Sequence, residues 1–214
     1  MNVAAITTFT RALGPGRRSV LWVQGCPFRC AGCIAEEWIP QHEADRITPA
    51  RAAELLTTDP RIDGVTFSGG EPMLQAAALA EVITLIRRDR ELSLICFTGY
   101  RLEQLRDRPP NDGVPALLAE VDVLIDGLYV AARNDGRGLR GSTNQRIHHL
   151  TGRLSDSDYD YENRERVSEL QQVDGELLLV GVPDPLFAAA FGPEAPPVRV
   201  PSVSPPIRRS GSSR

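Results

Sequence analysis

Lysine is absent from all 214 residues, so every one of the 24 basic side chains is an arginine. A Schiff-base mechanism through an enzyme amine is thereby excluded. The uniform use of arginine reads as codon bias in a GC-rich genome, since exposed arginine and lysine do similar work on a surface. Histidine is scarce at three and cysteine at four. No apolar run approaches the ~20 residues that cross a bilayer. The opening MNVAAITTFTRALGPG has neither the basic start nor the continuous apolar stretch of a secretory leader. Acidic residues outnumber basic ones by 28 to 24, a net charge of −4, which gives no general attraction to phosphate backbones or anionic lipid. These absences lead us to expect a cytoplasmic chain that binds neither nucleic acid nor membrane. In that reducing compartment clustered thiols hold metal or do redox chemistry more often than they form structural disulfides.

What is present alternates. Short β-branched or apolar runs at 19–24, 64–68, 92–98 and 121–126 are separated by helix-like segments, the pattern of βα units and a parallel sheet. TPARAAELLTT offers Thr48 as N-cap with Pro49 at the first helical position, and apolar residues from Met73 to Ile86 recur at helical spacing. Shorter helical stretches are expected at LEQLRD and VPALLAEV. The Gly-, Arg- and Asn-rich stretch 129–152 reads as loop. The segment 154–174 is polar and acidic, and GELLLVGVP at 175–183 reads as one more strand. The expected organisation is a core over 1–153, an extension over 154–191 with that strand, and a Pro- and Ser-rich disordered tail over 192–214.

The unusual residues follow the strands. Cys26, Cys30 and Cys33 come after the first, SGGEP (68–72) after the second and TGY (98–100) after the third, while Asp126 and Gly127 end the fourth. In parallel α/β architectures these positions share the carboxyl edge of the sheet, where ligands bind. For the cysteines alone three readings compete. A structural zinc site wants four ligands, but Cys96 sits inside an apolar run, and His148 and His149 are far away in sequence. A disulfide is disfavoured by compartment. The third is an iron–sulfur cluster held by three soft thiolates, with one iron open to an exogenous ligand. Ligand type and count favour the third. Cys96, Trp22 and Trp38 are expected in the core, and RGSTNQR could equally be a helix start capped by Ser142 or Thr143.

Cys-x-x-x-Cys-x-x-Cys followed by Gly-Gly-Glu resembles the radical S-adenosylmethionine (SAM) superfamily. The stretches WVQGCPFRCAGCIAEEW, GVTFSGGEP, FTGYRLEQL, DVLIDGLY and RNDGRGLRGSTNQRI are, within it, similar to the glycyl-radical activating enzymes of anaerobic ribonucleotide reductase. The resemblance implies an α/β fold, a partial (β/α) TIM-like barrel of the radical SAM type, with a short C-terminal extension. It implies that Cys26, Cys30 and Cys33 bind three irons of a [4Fe–4S] cluster and that SAM chelates the fourth. Gly69, Gly70 and Glu71 would meet the methionine end of SAM, the absent side chains of the two glycines letting carbonyls reach the ligand. Gly32, Cys33 and Ile34 would run along the adenine, and Thr98 and Gly99 would face the ribose. Asp126, Arg140 and Asn144 would make the remaining polar contacts.

One departure stands out. Ile34 and Ala35 replace the aromatic or His and the Asn usual after the third cysteine, so the adenine contact must be aliphatic or main-chain. The implied activity is reductive cleavage of SAM to a 5′-deoxyadenosyl radical, which takes a hydrogen atom from a glycine of a partner such as anaerobic ribonucleotide reductase. A flavodoxin or ferredoxin would supply the electron. The same chemistry on a peptide or small metabolite is the alternative, and a zinc-binding structural module the remote one.

Overall fold

A computed structural model describes residues 1–155, 158–173 and 176–183. Its frame is one seven-stranded sheet of β1 (Asn2–Thr10), β2 (Arg18–Val23), β3 (Asp45–Arg46), β4 (Gly64–Gly69), β5 (Ser93–Thr98), β6 (Val123–Asp126) and β7 (Arg146–His149). The strand order is β3-β1-β2-β4-β5-β6-β7. The four strands expected from their apolar runs, β2, β4, β5 and β6, are parallel, and β1, β3 and β7 add antiparallel flanks. Among the described residues the sheet is open, with β3 and β7 as its edges, and forms no closed barrel.

Both faces of the parallel strands are buried, which is why these runs are apolar without a break. On β2, Leu21 and Val23 face one way and Val20 and Trp22 the other. On β5, Leu94 and Cys96 oppose Ile95. The first face packs against α1 (Pro49–Leu56), α2 (Ala76–Arg87), α3 (Leu102–Asp107) and α4 (Val114–Glu120), through residues such as Leu56, Leu79, Ile83, Leu105 and Leu117. Thr48 caps α1 as expected, its Oγ1 accepting from Arg51 N at 3.2 Å with Pro49 at the first position. No helix among the described residues is long and apolar enough to cross a membrane.

Among the described residues no α-helix packs on the opposite face. It is covered by Ala12, Leu13, Trp38, Leu139 and Tyr161, and by Leu178 and Val180 of a two-stranded antiparallel sheet, β8 (Glu169–Val173) with β9 (Glu176–Val180). The extension therefore shares a core with the sheet. It is also tied down by polar contacts: Gln171 Nε2 donates to Phe9 O at 2.7 Å, Arg11 N to Glu169 Oε1 at 2.8 Å and Leu139 N to Tyr161 O at 2.7 Å.

Three expectations are corrected. The stretch 129–152 is not all loop, because 146–149 pairs antiparallel with β6. RIHH has one apolar residue in four, and its strand state is imposed by pairing and by the bonds of Arg146 and His148 to Asp126. No helix starts in RGSTNQR; Ser142 Oγ instead accepts from Val130 N at 3.1 Å. The polar segment 154–174 contains β8, whose polar side chains reach the edge of β1. The strand expected at 175–183 appears as β9, and the tail over 192–214 lies outside the described residues.

At the amino ends of β2, β4 and β5, Arg18 is fully buried and donates to oxygens of Pro15, Val65, Thr66 and Ser93, none of them a carboxylate. Burial pushes its pKa down to about 10. The carboxyl ends of the same strands are free for other work.

Candidate functional site

The parallel register sets Val23 beside Gly69 and Thr98 beside Asp126, so the segments leaving β2, β4, β5 and β6 emerge along one edge. The loop after β2 is closed by its own backbone: Gly25 N donates to Trp38 O at 2.9 Å and Cys26 N to Ile39 O at 3.0 Å. Within it, Cys33 N donates to Cys30 O at 3.1 Å, with Gly32 at φ +71° as the third residue of that turn. A turn with positive φ at this position favours glycine. Gly32 thus shapes the bend that brings Cys30 and Cys33 to the same side.

The loop after β4 is latched onto the cysteine loop by Gly70 N to Val23 O at 2.7 Å and Glu71 N to Gly25 O at 2.9 Å. A Cβ at Gly70 would lie 2.3 Å from Gly25 O, and one at Gly69 would lie 2.4 Å from Val23 N. At both positions a side chain would run into the backbone of β2 or of the cysteine loop, so close packing of the chain itself already asks for glycine.

Glu71 is buried, with Oε1 accepting from Met73 N at 2.9 Å and Thr98 Oγ1 at 2.8 Å, and Oε2 from Gly99 N at 2.8 Å. Burial pushes its pKa up to about 7 against the pull of these three hydrogen bonds. Phe28, from the cysteine loop, packs edge-on to Tyr100 with 4.8 Å between ring centroids, and its ring lies 2.6 Å from where a Gly99 Cβ would stand.

A cavity of about 230 Å³ opens between these loops. Cys26, Cys30, Cys33, Ile34, Gly69, Gly70, Glu71, Thr98 and Gly99 all line it. The three lining cysteines are half-buried free thiols; burial raises the pKa of Cys26 to about 11 and pushes that of Cys33 up. Among the described residues no three His, Cys, Asp or Glu side chains gather at a single-ion position. Three soft thiol donors lining one cavity suit an iron–sulfur cluster, whose irons take one thiolate each. Cys96 is buried on the helix-covered face.

Four sequence candidates do not line the cavity. Gly32 is the bend of the Cys30–Cys33 turn. Asp126 is buried and engaged by Leu102 N at 2.7 Å, Arg146 Nε at 3.0 Å, His148 Nε2 at 3.0 Å and Arg101 Nη1 at 3.3 Å. Its burial favours the neutral form, but the hydrogen bonds of Arg146 and Leu102 and the charge around it outweigh this and hold the pKa down. Asp126 thus anchors α3 and β7. Asn144 Nδ2 donates to Leu128 O at 2.8 Å, while its Oδ1 is buried with no hydrogen-bond partner among the described residues. Arg140 stands near Asp135 and Glu162.

Sequence reasoning missed several lining residues. Gln145 bridges Gly141 N, Ser142 N and Gly127 O, giving the last stretch of the motif run its shape. Tyr129, Phe97, Trp22 and Trp38 add aromatic wall, and Leu178, Leu179, Gly181 and Val182 come from the extension. Gln145 could have been found inside RGSTNQR. The hairpin's part in the site had no local signal.

Residues 12–148 match a protein-family model described as a 4Fe-4S single cluster domain. The chain is 36% identical over 149 residues to the anaerobic ribonucleoside-triphosphate reductase-activating protein of Vibrio cholerae, covering 64% of this chain and 91% of the relative. The protein of that name from Escherichia coli K12 is 31% identical over 146 residues, again 64% and 91%. A pyruvate formate-lyase-activating enzyme from Clostridium pasteurianum is 34% identical over 92 residues, 41% of this chain and 39% of the relative. The family match ends before β8 and β9 begin.

Proposed function

The chain belongs to the radical SAM activating proteins with a 4Fe-4S single cluster domain, and from that membership we propose that it moves a hydrogen atom from a glycine Cα of a partner protein, an anaerobic ribonucleotide reductase, to the 5′ carbon of SAM. The observation that carries this reading is the convergence of three free cysteines and the Gly69–Gly70–Glu71 turn on one cavity. When bound, a [4Fe–4S] cluster with SAM supplies one-electron opening of the S–C5′ bond, which yields methionine and a 5′-deoxyadenosyl group able to accept that hydrogen atom. The electron comes from a low-potential one-electron donor of the flavodoxin or ferredoxin kind.

The chain's own residues hold and orient. Cys26, Cys30 and Cys33 would ligate three irons. The main chain of Gly69, Gly70 and Glu71 offers polar groups to the methionine end, while the Glu71 and Thr98 side chains, already bonded to each other, keep those groups and Gly99 in place. Ile34, 44% exposed on the cavity rim, presents an aliphatic surface to the adenine alongside Cys33, while Gly32 shapes the turn that carries Cys33. Asn144, Asp126 and Arg140 stand outside the cavity lining and would act by positioning the loops around it. Trp22, Trp38 and Phe97 keep water from the reacting atoms. On this reading the open sheet is a partial (β/α) barrel of the radical SAM type with its core over 1–153.

A second reading, the same chemistry on another peptide or a small metabolite, is favoured by the cavity wall that the extension adds outside the family match. Anaerobic reconstitution with iron and sulfide, followed by dithionite and SAM, tests the chemistry through 5′-deoxyadenosine. Coexpression with the reductase of the same genome, followed by EPR for a glycyl radical, tests the partner. A product with neither broad visible absorbance nor 5′-deoxyadenosine sinks the proposal. 5′-Deoxyadenosine without a glycyl radical shifts it to the second reading.

A further inference from the structure

Leu178 and Leu179 are consecutive on β9, and consecutive strand residues point to opposite faces. Both nevertheless line the cavity, together with Gly181 and Val182 just beyond. The cavity therefore runs along β9 itself. One edge of β9 is bonded to β8, from Glu169↔Val180 to Gln172↔Leu177. No described strand pairs with its other edge. The burial pattern agrees: Leu178 is fully buried against the face of the main sheet that no described α-helix covers, Leu179 is half-buried, and Leu177 is 52% exposed.

An open strand edge presents main-chain N–H and C=O groups in a fixed alternating row, and the partner that satisfies such a row is another extended backbone. The edge is firmly mounted, since Leu178 and Val180 are core residues and Gln171 of β8 is hydrogen-bonded to β1. The strand borders the same cavity as Cys26, Cys30 and Cys33.

We propose that the free edge of β9 is a docking rail on which an extended, glycine-bearing segment of the partner protein pairs main chain to main chain. This deepens the activating-protein reading and rests on it. Glycine suits the position because a residue without a side chain lets its backbone approach a crowded wall. The rail holds the glycine Cα within the cavity that the cysteines line. Because β9 lies outside residues 12–148, the rail is a feature of this chain's extension and not of the matched family domain.

Hydrogen exchange read by mass spectrometry tests the rail, using the full reconstituted chain with and without the intact reductase of the same genome, with 5′-deoxyadenosine and glycyl radical measured on the same samples. In the free chain the β9 amides bonded to β8 exchange slowly and the alternate amides fast. With the reductase present the fast set should slow by about ten-fold or more. Glycyl radical formation with the fast β9 amides unchanged overturns the rail and leaves the activating function standing. A β9 whose amides are all slow in the free chain overturns it too. Loss of 5′-deoxyadenosine from the wild-type chain removes instead the reading on which the rail rests.

Discussion

Glu71, just past the end of β4, accepts a hydrogen bond of 2.8 Å from the Thr98 hydroxyl at the end of β5, so a buried carboxyl joins two parallel strands at the floor of the cavity. The same carboxyl also holds Gly99 N, which makes it the piece that sets the spacing between the SGGE and TGY turns.

That carboxyl gives stability a pH dependence. Its folded pKa, about 7, lies above the ordinary value of 4.5, so the folded state holds the proton more tightly and the contribution falls as pH rises from about 4.5 to about 7, then levels off. The full swing is roughly 3 kcal/mol. Urea unfolding of the cluster-free chain under reducing conditions, wild type against Glu71→Gln at pH 5, 6, 7 and 8, should show the wild type losing ground steadily up to pH 7. A difference that does not vary with pH contradicts the assignment.

Gly70→Ala should cost about 3 kcal/mol or more, because its Cβ would meet the carbonyl oxygens of Gly25 and Trp38, which are backbone and cannot swing aside. The displaced loop carries Cys26, so iron bound per chain after reconstitution should fall with the melting temperature. Normal iron uptake in a destabilised variant would separate the two loops mechanically.

Cys30→Ala should abolish the broad visible absorbance of the reconstituted chain, whereas Cys96→Ala should keep it. Cys96 is fully buried among the residues that face the helices, and its truncation costs about 1 kcal/mol of packing. Iron and sulfide analysis of both variants checks this, and loss of the cluster in the Cys96 variant would point to a fourth protein ligand.

Arg18→Met should lower stability by about 2–4 kcal/mol, since it strips donors from buried oxygens of Val65, Thr66 and Ser93. Arg18 stands at the opposite end of the strands from the cavity, so 5′-deoxyadenosine formed per bound cluster should match the wild type. Thermal unfolding and product analysis on one preparation read both quantities.

The parts of this molecule legible in the sequence are those in which local pattern and final environment agree. β2, β4, β5 and β6 are buried on both faces and are written in apolar residues without a gap; Thr48-Pro49 announces α1. β1 is lined with small residues and threonines, and RIHH of β7 is mostly polar, so each becomes a strand through a neighbour: β1 by pairing with β2, β7 by the grip of Asp126 on Arg146 and His148. At the site, cysteine spacing and SGGE located the chemistry, but not the close packing of Gly70 against Gly25 and Trp38 some thirty to forty-five residues earlier. The arrival of Leu178 beside Trp22 depends on a longer return of the chain, for which no spacing rule exists.

The loop that carries Cys26, Cys30 and Cys33 takes its shape from rigid neighbours: Trp38 and Ile39 close it, Gly70 and Glu71 brace its base, and Phe28 is pressed against Tyr100. The shape of the thiol-bearing loop is thus set by residues that carry no thiol, and a substitution at Trp38, Gly70 or Phe28 reaches the cysteines through the backbone they share.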